Sequence, residues 1–222
     1  MPTERFIEAV EHGILHRVKE EIEEDPEAWL NDDEEGIFPL SMAAGDGRLE
    51  IVRYFLDLAR RRGPDTLKTY MNYASRHNKW LPALELAIQS HHLDVVDLLL
   101  SYGAVIAVYD DNNEFVYDIF HTACEYSDAC IVQCFLAHQG VDVNAVVYHY
   151  TALYEACMRN DRHAAPIVKS LLEAGANPTL TGPRFRRTPL QCAKTPEVRR
   201  LLEVRSPDEF LIQNLEFMIH DS

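Results

Sequence analysis

PALELAIQSHHLDVVDLLLSYGA, residues 82–104, holds two short helical patterns back to back. Leu84, Leu86, Ala87 and Ile88 mark the first; Leu93, Val95, Val96, Leu98, Leu99 and Leu100 mark the second. Apolar residues at i, i+3, i+4 and i+7 are the pattern of amphipathic helices. His91-His92 forms the corner between them, and Gly103 stands where a helix stop is expected. Helices this short are marginal alone, and a single pair buries little surface. The unit needs copies of itself on either side.

The copies are present. With Ala87 as the small residue inside the first helix, its equivalents are Ala9, Ala43, Ala123, Ala156 and Ala193, at steps of 34, 44, 36, 33 and 37 residues. A helix-turn-helix period near 33 belongs to ankyrin repeats, and the chain resembles that family in motif too. The family's TPLHxAA stands here as FPLSMAA (38–44), PALELAI (82–88), DIFHTAC (118–124), TALYEAC (151–157) and TPLQCAK (188–194). Its GA turn recurs as Gly103-Ala104 and Gly175-Ala176. The resemblance implies an all-α solenoid over residues 1–204, with repeats near 1–32, 33–62, 77–112, 113–145, 146–182 and 183–204. An inserted segment at 63–76 follows the second repeat, and a capping helix is expected at 205–222.

Along the chain, Phe6, Ile7, Val10, Val18 and Ile22 form an apolar stripe opposite Glu20, Glu21, Glu23, Glu24 and Asp25, as suits a terminal repeat with one solvated face. After the second repeat, Gly63-Pro64 predicts a helix break. Asp65 is expected to start a short added helix carrying Leu67, Tyr70, Met71 and Ala74. Arg60, Arg61 and Arg62 read as a solvated basic run. Asp118 and Thr151 are expected N-caps. The tail places Phe210, Leu211, Leu215, Phe217 and Met218 on one helical pattern.

Composition limits the function. The 222 residues carry a net charge of −15, which disfavours a nucleic-acid or anionic-membrane partner. No run of about 18 apolar residues suggests a membrane span and no signal peptide is evident, so an intracellular location is expected. The five cysteines have no CxxC pair; Cys124, Cys134, Cys157 and Cys192 fall on core positions as reduced thiols. No phosphate loop, HExxH, GxSxG or zinc-type spacing occurs, so no catalytic or metal-ligating set and no cofactor is expected.

The remaining candidate is a surface. In the resemblance, the turns and the exposed side of each first helix line a groove. Carried over, these positions give Glu34 and Glu35 in the second repeat, with Trp80 beside the turn of the third. The fourth gives Phe115, Tyr117 and Tyr126; the fifth Tyr148, Tyr150 and Arg159; the sixth Arg184, Phe185 and Arg187. The middle is aromatic, and the charge runs from acidic to basic. Aromatic and Arg side chains are the residues that dominate interfaces. The expected function is non-catalytic binding of another protein by a monomeric chain. Two alternatives stand beside it. One is a small-molecule carrier or enzyme using Glu125, Glu155, His121 or His149 as acid or base; the other is an adaptor that recruits a second component through the C-terminal helix.

Overall fold

The computed structural model describes residues 2–30, 38–72, 81–109, 115–138, 140–147, 149–181 and 187–203. Among them are 13 α-helices, one 3-10 turn and two short antiparallel hairpins, so the chain is mostly helical with a little strand. The expected capping helix at 205–222 lies outside the described residues. The chain forms two compact units, Met1–Val105 and Ile106–Ser222.

The first unit runs α1 (Glu4–Glu11), α2 (Leu15–Glu24), a 3-10 turn (Ala28–Leu30), α3 (Pro39–Gly45), α4 (Leu49–Arg62), α5 (Pro64–Met71), α6 (Ala83–Gln89) and α7 (Leu93–Ser101). Thr3 caps α1 by accepting from the Phe6 amide at 3.1 Å. The corners between paired helices use one device repeatedly. Gly13 (φ +72°), Gly47 (φ +68°) and His91 (φ +59°) all turn the chain through the left-handed region. The next repeat then leans on that corner. The Arg48 stem lies where a Cβ on Gly13 would be 3.0 Å away, and Arg48 Nε donates to the Glu11 carbonyl at 2.9 Å. The His92 ring would be only 2.6 Å from a Cβ on Gly47.

The inserted helix departs slightly from expectation. Gly63 (φ +132°) ends α4, and Pro64 rather than Asp65 opens α5, because proline at the first helical position lacks only an amide hydrogen that would have no helical partner. Asp65 sits in the first turn, where its charge suits the helix dipole. α5 brings Tyr70 edge-on to Trp29 at 4.7 Å and against Phe38 at 4.9 Å. Trp29 in turn stacks on Phe55, and Phe55 meets Phe6. Arg62 is no idle member of a solvated run: it lies over the Trp29 ring at 5.2 Å and pairs with Glu27 at 2.6 Å.

The second unit opens with β1 (Ala107–Tyr109) paired antiparallel to β2 (Phe115–Asp118), Val108 opposite Tyr117. Then come α8 (Ile119–Tyr126), α9 (Ala129–Ala137), the hairpin of β3 (Val146–Val147) and β4 (Tyr150–Thr151), α10 (Ala152–Met158), α11 (Ala164–Glu173), α12 (Pro189–Cys192) and α13 (Pro196–Glu203). Asp118, Thr151 and Thr188 cap the first helix of each pair by accepting from the amides of His121, Tyr154 and Gln191. At Thr188 the Gln191 side chain reaches back to complete a capping box. Asn144 links successive turns, donating to the Gly175 carbonyl at 3.2 Å and accepting from the Asn177 amide at 2.7 Å.

All five cysteines are free thiols; Cys124, Cys157 and Cys192 are buried, Cys134 is half-buried and Cys130 is exposed. Among the described residues no helix is long and apolar enough to cross a membrane.

Candidate functional site

The second unit carries a cleft of about 640 Å³ between the ends of α8, α10 and α12. The register of the capped helices explains its lining. The residue three after the cap is buried at Ser41, Glu85, His121 and Tyr154 and exposed at Gln191. The next residue is half-buried at Met42, Leu86, Thr122 and Glu155 and buried at Cys192. In α10 these two positions place Tyr154 and Glu155 side by side in the cleft. Tyr150, from the hairpin strand β4, stacks on Tyr154 with ring centroids 4.8 Å apart and planes 24° from parallel. Glu125, Met158, Arg187 and Lys194 complete the rim.

Glu155 is the unusual member. Burial pushes its carboxyl up to about 7; His121 works in the opposite direction, while Glu125 and Asp118 add to the rise. Its Oε2 is shut away from solvent and has no hydrogen-bond partner. The neighbouring His121 is fully engaged by its own fold. Nδ1 lies 3.2 Å from Asp118 Oδ1 and Nε2 lies 3.2 Å from the Ala145 carbonyl. Both partners are acceptors, so the ring serves best with both nitrogens protonated. Burial pulls the His121 pKa down, but Asp118, Glu155 and the Ala145 carbonyl together hold it above its ordinary value.

Three further groups are held in their neutral forms. Burial pushes the Cys157 thiol up to about 12 and Cys124 well above its ordinary value, so neither is a ready thiolate. Burial and a hydrogen bond with Cys192 raise Tyr154 to about 12.

Of the residues singled out from sequence, Tyr150 and Arg187 line the cleft. Tyr126 follows Glu125 at the end of α8, and at 70% it is the most exposed large apolar side chain among the described residues; Glu125 raises its hydroxyl above the ordinary pKa. Arg159 is placed differently. It is buried, donates to the carbonyls of Cys124 and Ser127 at 3.0 and 2.8 Å, and pairs with Asp161 at 2.7 Å. The guanidinium supplies donors to carbonyls at the end of α8, so it holds one repeat to the next rather than facing outward. Phe115 and Tyr117 belong to β2. Glu34, Glu35, Trp80, Tyr148, Arg184 and Phe185 lie outside the described residues. Of the four acid-base candidates, Glu125 and Glu155 line the cleft, His121 is tied into the fold, and His149 sits exposed at the tip of the β3–β4 hairpin with φ +84°. Sequence reasoning did not single out Tyr154 or Lys194; the TALY and TPLQCAK registers carried the signal for both.

The sequence pattern described as ankyrin repeats (three copies) matches residues 6–110 and again 84–182. This chain belongs to the ankyrin-repeat family. An ankyrin repeat domain from Acinetobacter baumannii AYE (ABAYE2397) is 25% identical, with a TM-score of 0.69 over 90% of this chain and 96% of that one. The ankyrin repeat protein EF0377 is 22% identical, with a TM-score of 0.67 over 91% and 98%. A chain of the complex between the predatory endopeptidase Bd0816 of Bdellovibrio bacteriovorus and the immunity protein Bd3460 is 23% identical, with a TM-score of 0.66 over 93% and 100%. No curated protein matches the chain in sequence. Ankyrin repeats are generally protein-interaction modules and typically carry no catalysis of their own.

Proposed function

We propose that this ankyrin chain is a non-catalytic binding module that holds a partner protein on the second unit, with the cleft beside α10 at the centre of the contact. The observation that carries this reading is exposed apolar surface: Met158 lines the cleft with the Tyr150–Tyr154 stack and is 41% exposed, and Tyr126, next in sequence to the rim residue Glu125, is 70% exposed. Aromatic and Met side chains around a concave centre are the usual anchors of an interface. The net charge of −15 favours a basic partner and disfavours nucleic acid or an anionic membrane. Free thiols, one of them exposed, favour a reducing compartment. The chain is taken to act as a monomer.

The cleft volume also falls in the range of small-ligand pockets, which keeps a small-molecule carrier as a second reading. Catalysis is the weaker part of that reading, because His121 already has both ring nitrogens occupied. The experiment is capture from cell lysate with the wild-type chain and with a Tyr126→Ala, Met158→Ala double variant, compared by mass spectrometry. A prey lost only with the variant, at an unchanged thermal midpoint, is the expected result. Identical prey lists would remove the cleft from the interface.

A further inference from the structure

The last repeat departs from the register at two positions, and both lie at the cleft. In the repeats of α6, α8 and α10 the residue before the helix cap is Leu81, Tyr117 and Tyr150; before Thr188 it is Arg187. Six residues after the cap stand Ala44, Ile88, Cys124 and Cys157, all buried, whereas the equivalent Lys194 is exposed. The second departure has a local cause. α12 ends after four residues, where the other first helices run for seven or eight. Ala193 already turns to ψ +120°, and Pro196 opens the next helix, which biases Thr195 away from helical geometry. The Lys194 amide instead donates to the Cys157 carbonyl at 3.2 Å, which fixes its backbone at the edge of the cleft. The same stretch reverses the sign of the chain. Residues 184–205 carry seven basic and two acidic side chains, within a net charge of −15.

We infer that the cleft receives an aspartate or glutamate side chain from the partner protein, its carboxylate held by Arg187 and Lys194. The inference rests on the protein-binding reading of the same cleft. Arg187 offers a carboxylate two parallel donors, and Lys194 adds a compact charge. Tyr150 and Met158 supply apolar surface for the rest of the segment.

A basic side chain is the rival occupant, because Glu125 and Glu155 line the cleft too. The two acids are not equally open. Glu155 is half-buried, its Oε2 is shut away from solvent, and it lies in the field of His121. Glu125 is exposed, but it stands against two exposed cations. Exposed ion pairs add little affinity and more selectivity, so the carboxylate decides which segment is accepted while the apolar surface holds it. The acidic remainder of the chain still draws a partner that is basic overall, so the recognised acid is a local feature of that partner.

The test uses the full chain and peptide pools that share random flanks and differ in one fixed central residue: Glu, Gln or Lys. Binding is measured for the wild type, for the charge reversal Arg187→Glu, Lys194→Glu, and for the Tyr126→Ala, Met158→Ala variant. The wild type is expected to bind the Glu pool roughly fivefold or more above the Gln pool, and the reversal to move that preference to the Lys pool. Both substituted side chains are exposed, so the thermal midpoint should hold; Arg187→Gln, Lys194→Gln repeats the measurement should the reversal fold poorly. Equal binding of the Glu and Gln pools overturns the inference, as does a Glu preference that survives the reversal or a wild type that favours Lys. The binding reading outlives these results if Tyr126→Ala, Met158→Ala still weakens the pools. Displacement of the Glu pool by an equal concentration of free glutarate would assign the cleft to a small acid and also overturn the inference. Pools that bind all three proteins alike sink both the inference and the reading beneath it.

Discussion

The two units use their aromatic residues in opposite ways. In Met1–Val105, Phe6, Trp29, Phe38, Phe55 and Tyr70 are all buried and touch one another, closed over by the inserted helix α5. In Ile106–Ser222, Phe120 and Phe135 still pack inside, whereas Tyr150 stacks on the buried Tyr154 at the cleft and Tyr126 stands exposed at the end of α8. The repeat body is the same in both, so a short helical pair leaves open whether its aromatics build the core or the surface. An extra layer of chain decides it in the first unit. In the second, Tyr154 on α10 is buried, while Tyr126 at the end of α8 remains exposed.

The strongest way to break this contrast is to truncate one ring from each class. Trp29 is 1% exposed and central to its cluster, so Trp29→Ala is expected to cost about 3–5 kcal/mol. Tyr126→Ala is expected to stay within about 0.5 kcal/mol, because the ring is mostly in water. Urea unfolding read by circular dichroism and by tryptophan-independent hydrogen exchange separates the two. A comparable loss for Tyr126 would mean that the second unit also spends its aromatics on stability.

Glu155 gives the next largest effect. Its carboxyl titrates near 7 in the fold against an ordinary value of 4.5. Between those values the folded chain binds more protons than the unfolded one, so stability falls as pH rises through that window. The loss is nil below the lower value and complete above the upper, on the order of 3 kcal/mol at most. His121 acts in the same direction: its raised pKa contributes stability at low pH that is lost as pH climbs through its folded value. Glu155→Gln should therefore unfold at higher urea than wild type at about pH 8 and lose that advantage by about pH 5. Parallel pH profiles would show that Glu155 is not held in a dry place.

Much of this architecture was legible in the residues. The period between small alanines located the helical pairs; Gly103 and Gly175 stop their helices at φ +87° and +89°. Asp118 and Thr151 cap theirs, and Gly63-Pro64 breaks the chain between α4 and α5. The candidate site was only partly legible, for a physical reason. Register says which way a side chain starts, whereas its final partner depends on which carbonyls the neighbouring repeat leaves open. Arg159 starts at a surface position and then turns inward to the carbonyls of Cys124 and Ser127. Trp29 follows Asp25-Pro26 outside any helical period, so its place in the core came from the later helix α5 rather than from its own neighbours in sequence. The dryness of Glu155 is likewise a property of the stack.

The corners offer a sharper test of how repeats in the first unit hold together. Gly47 needs its glycine twice: for φ +68°, and because the His92 ring would lie 2.6 Å from any Cβ. Gly47→Ala is expected to cost about 2 kcal/mol, combining left-handed strain with displacement of the ring. Adding His92→Ala should relieve the second part and leave the first. His91 holds the equivalent conformation at φ +59° with a side chain in place, so His91→Gly should gain up to about 1 kcal/mol. Were the double variant no better than Gly47→Ala alone, the His92 contact would carry none of the cost.

The smallest effect bears most directly on the contrast. Among the described residues, Tyr70 Oη and Glu155 Oε2 are the buried side-chain atoms without a hydrogen-bond partner, one in each unit. For Glu155 the neighbouring His121 gives the acid an electrostatic role. Tyr70 has no such reading, because its ring is held between Trp29 and Phe38 and works as packing. Burial raises its hydroxyl well above the ordinary pKa, as expected of a phenol kept neutral in an apolar place. Tyr70→Phe keeps both ring contacts and removes the unpaired group, so it should stabilise the chain by about 1 kcal/mol in urea unfolding. Tyr154→Phe is the matched control, since that hydroxyl is not among the buried atoms left without a partner and its loss should give no gain. A loss of stability in Tyr70→Phe would mean that the hydroxyl is satisfied after all, and the first unit could then no longer be read as spending its aromatics on packing alone.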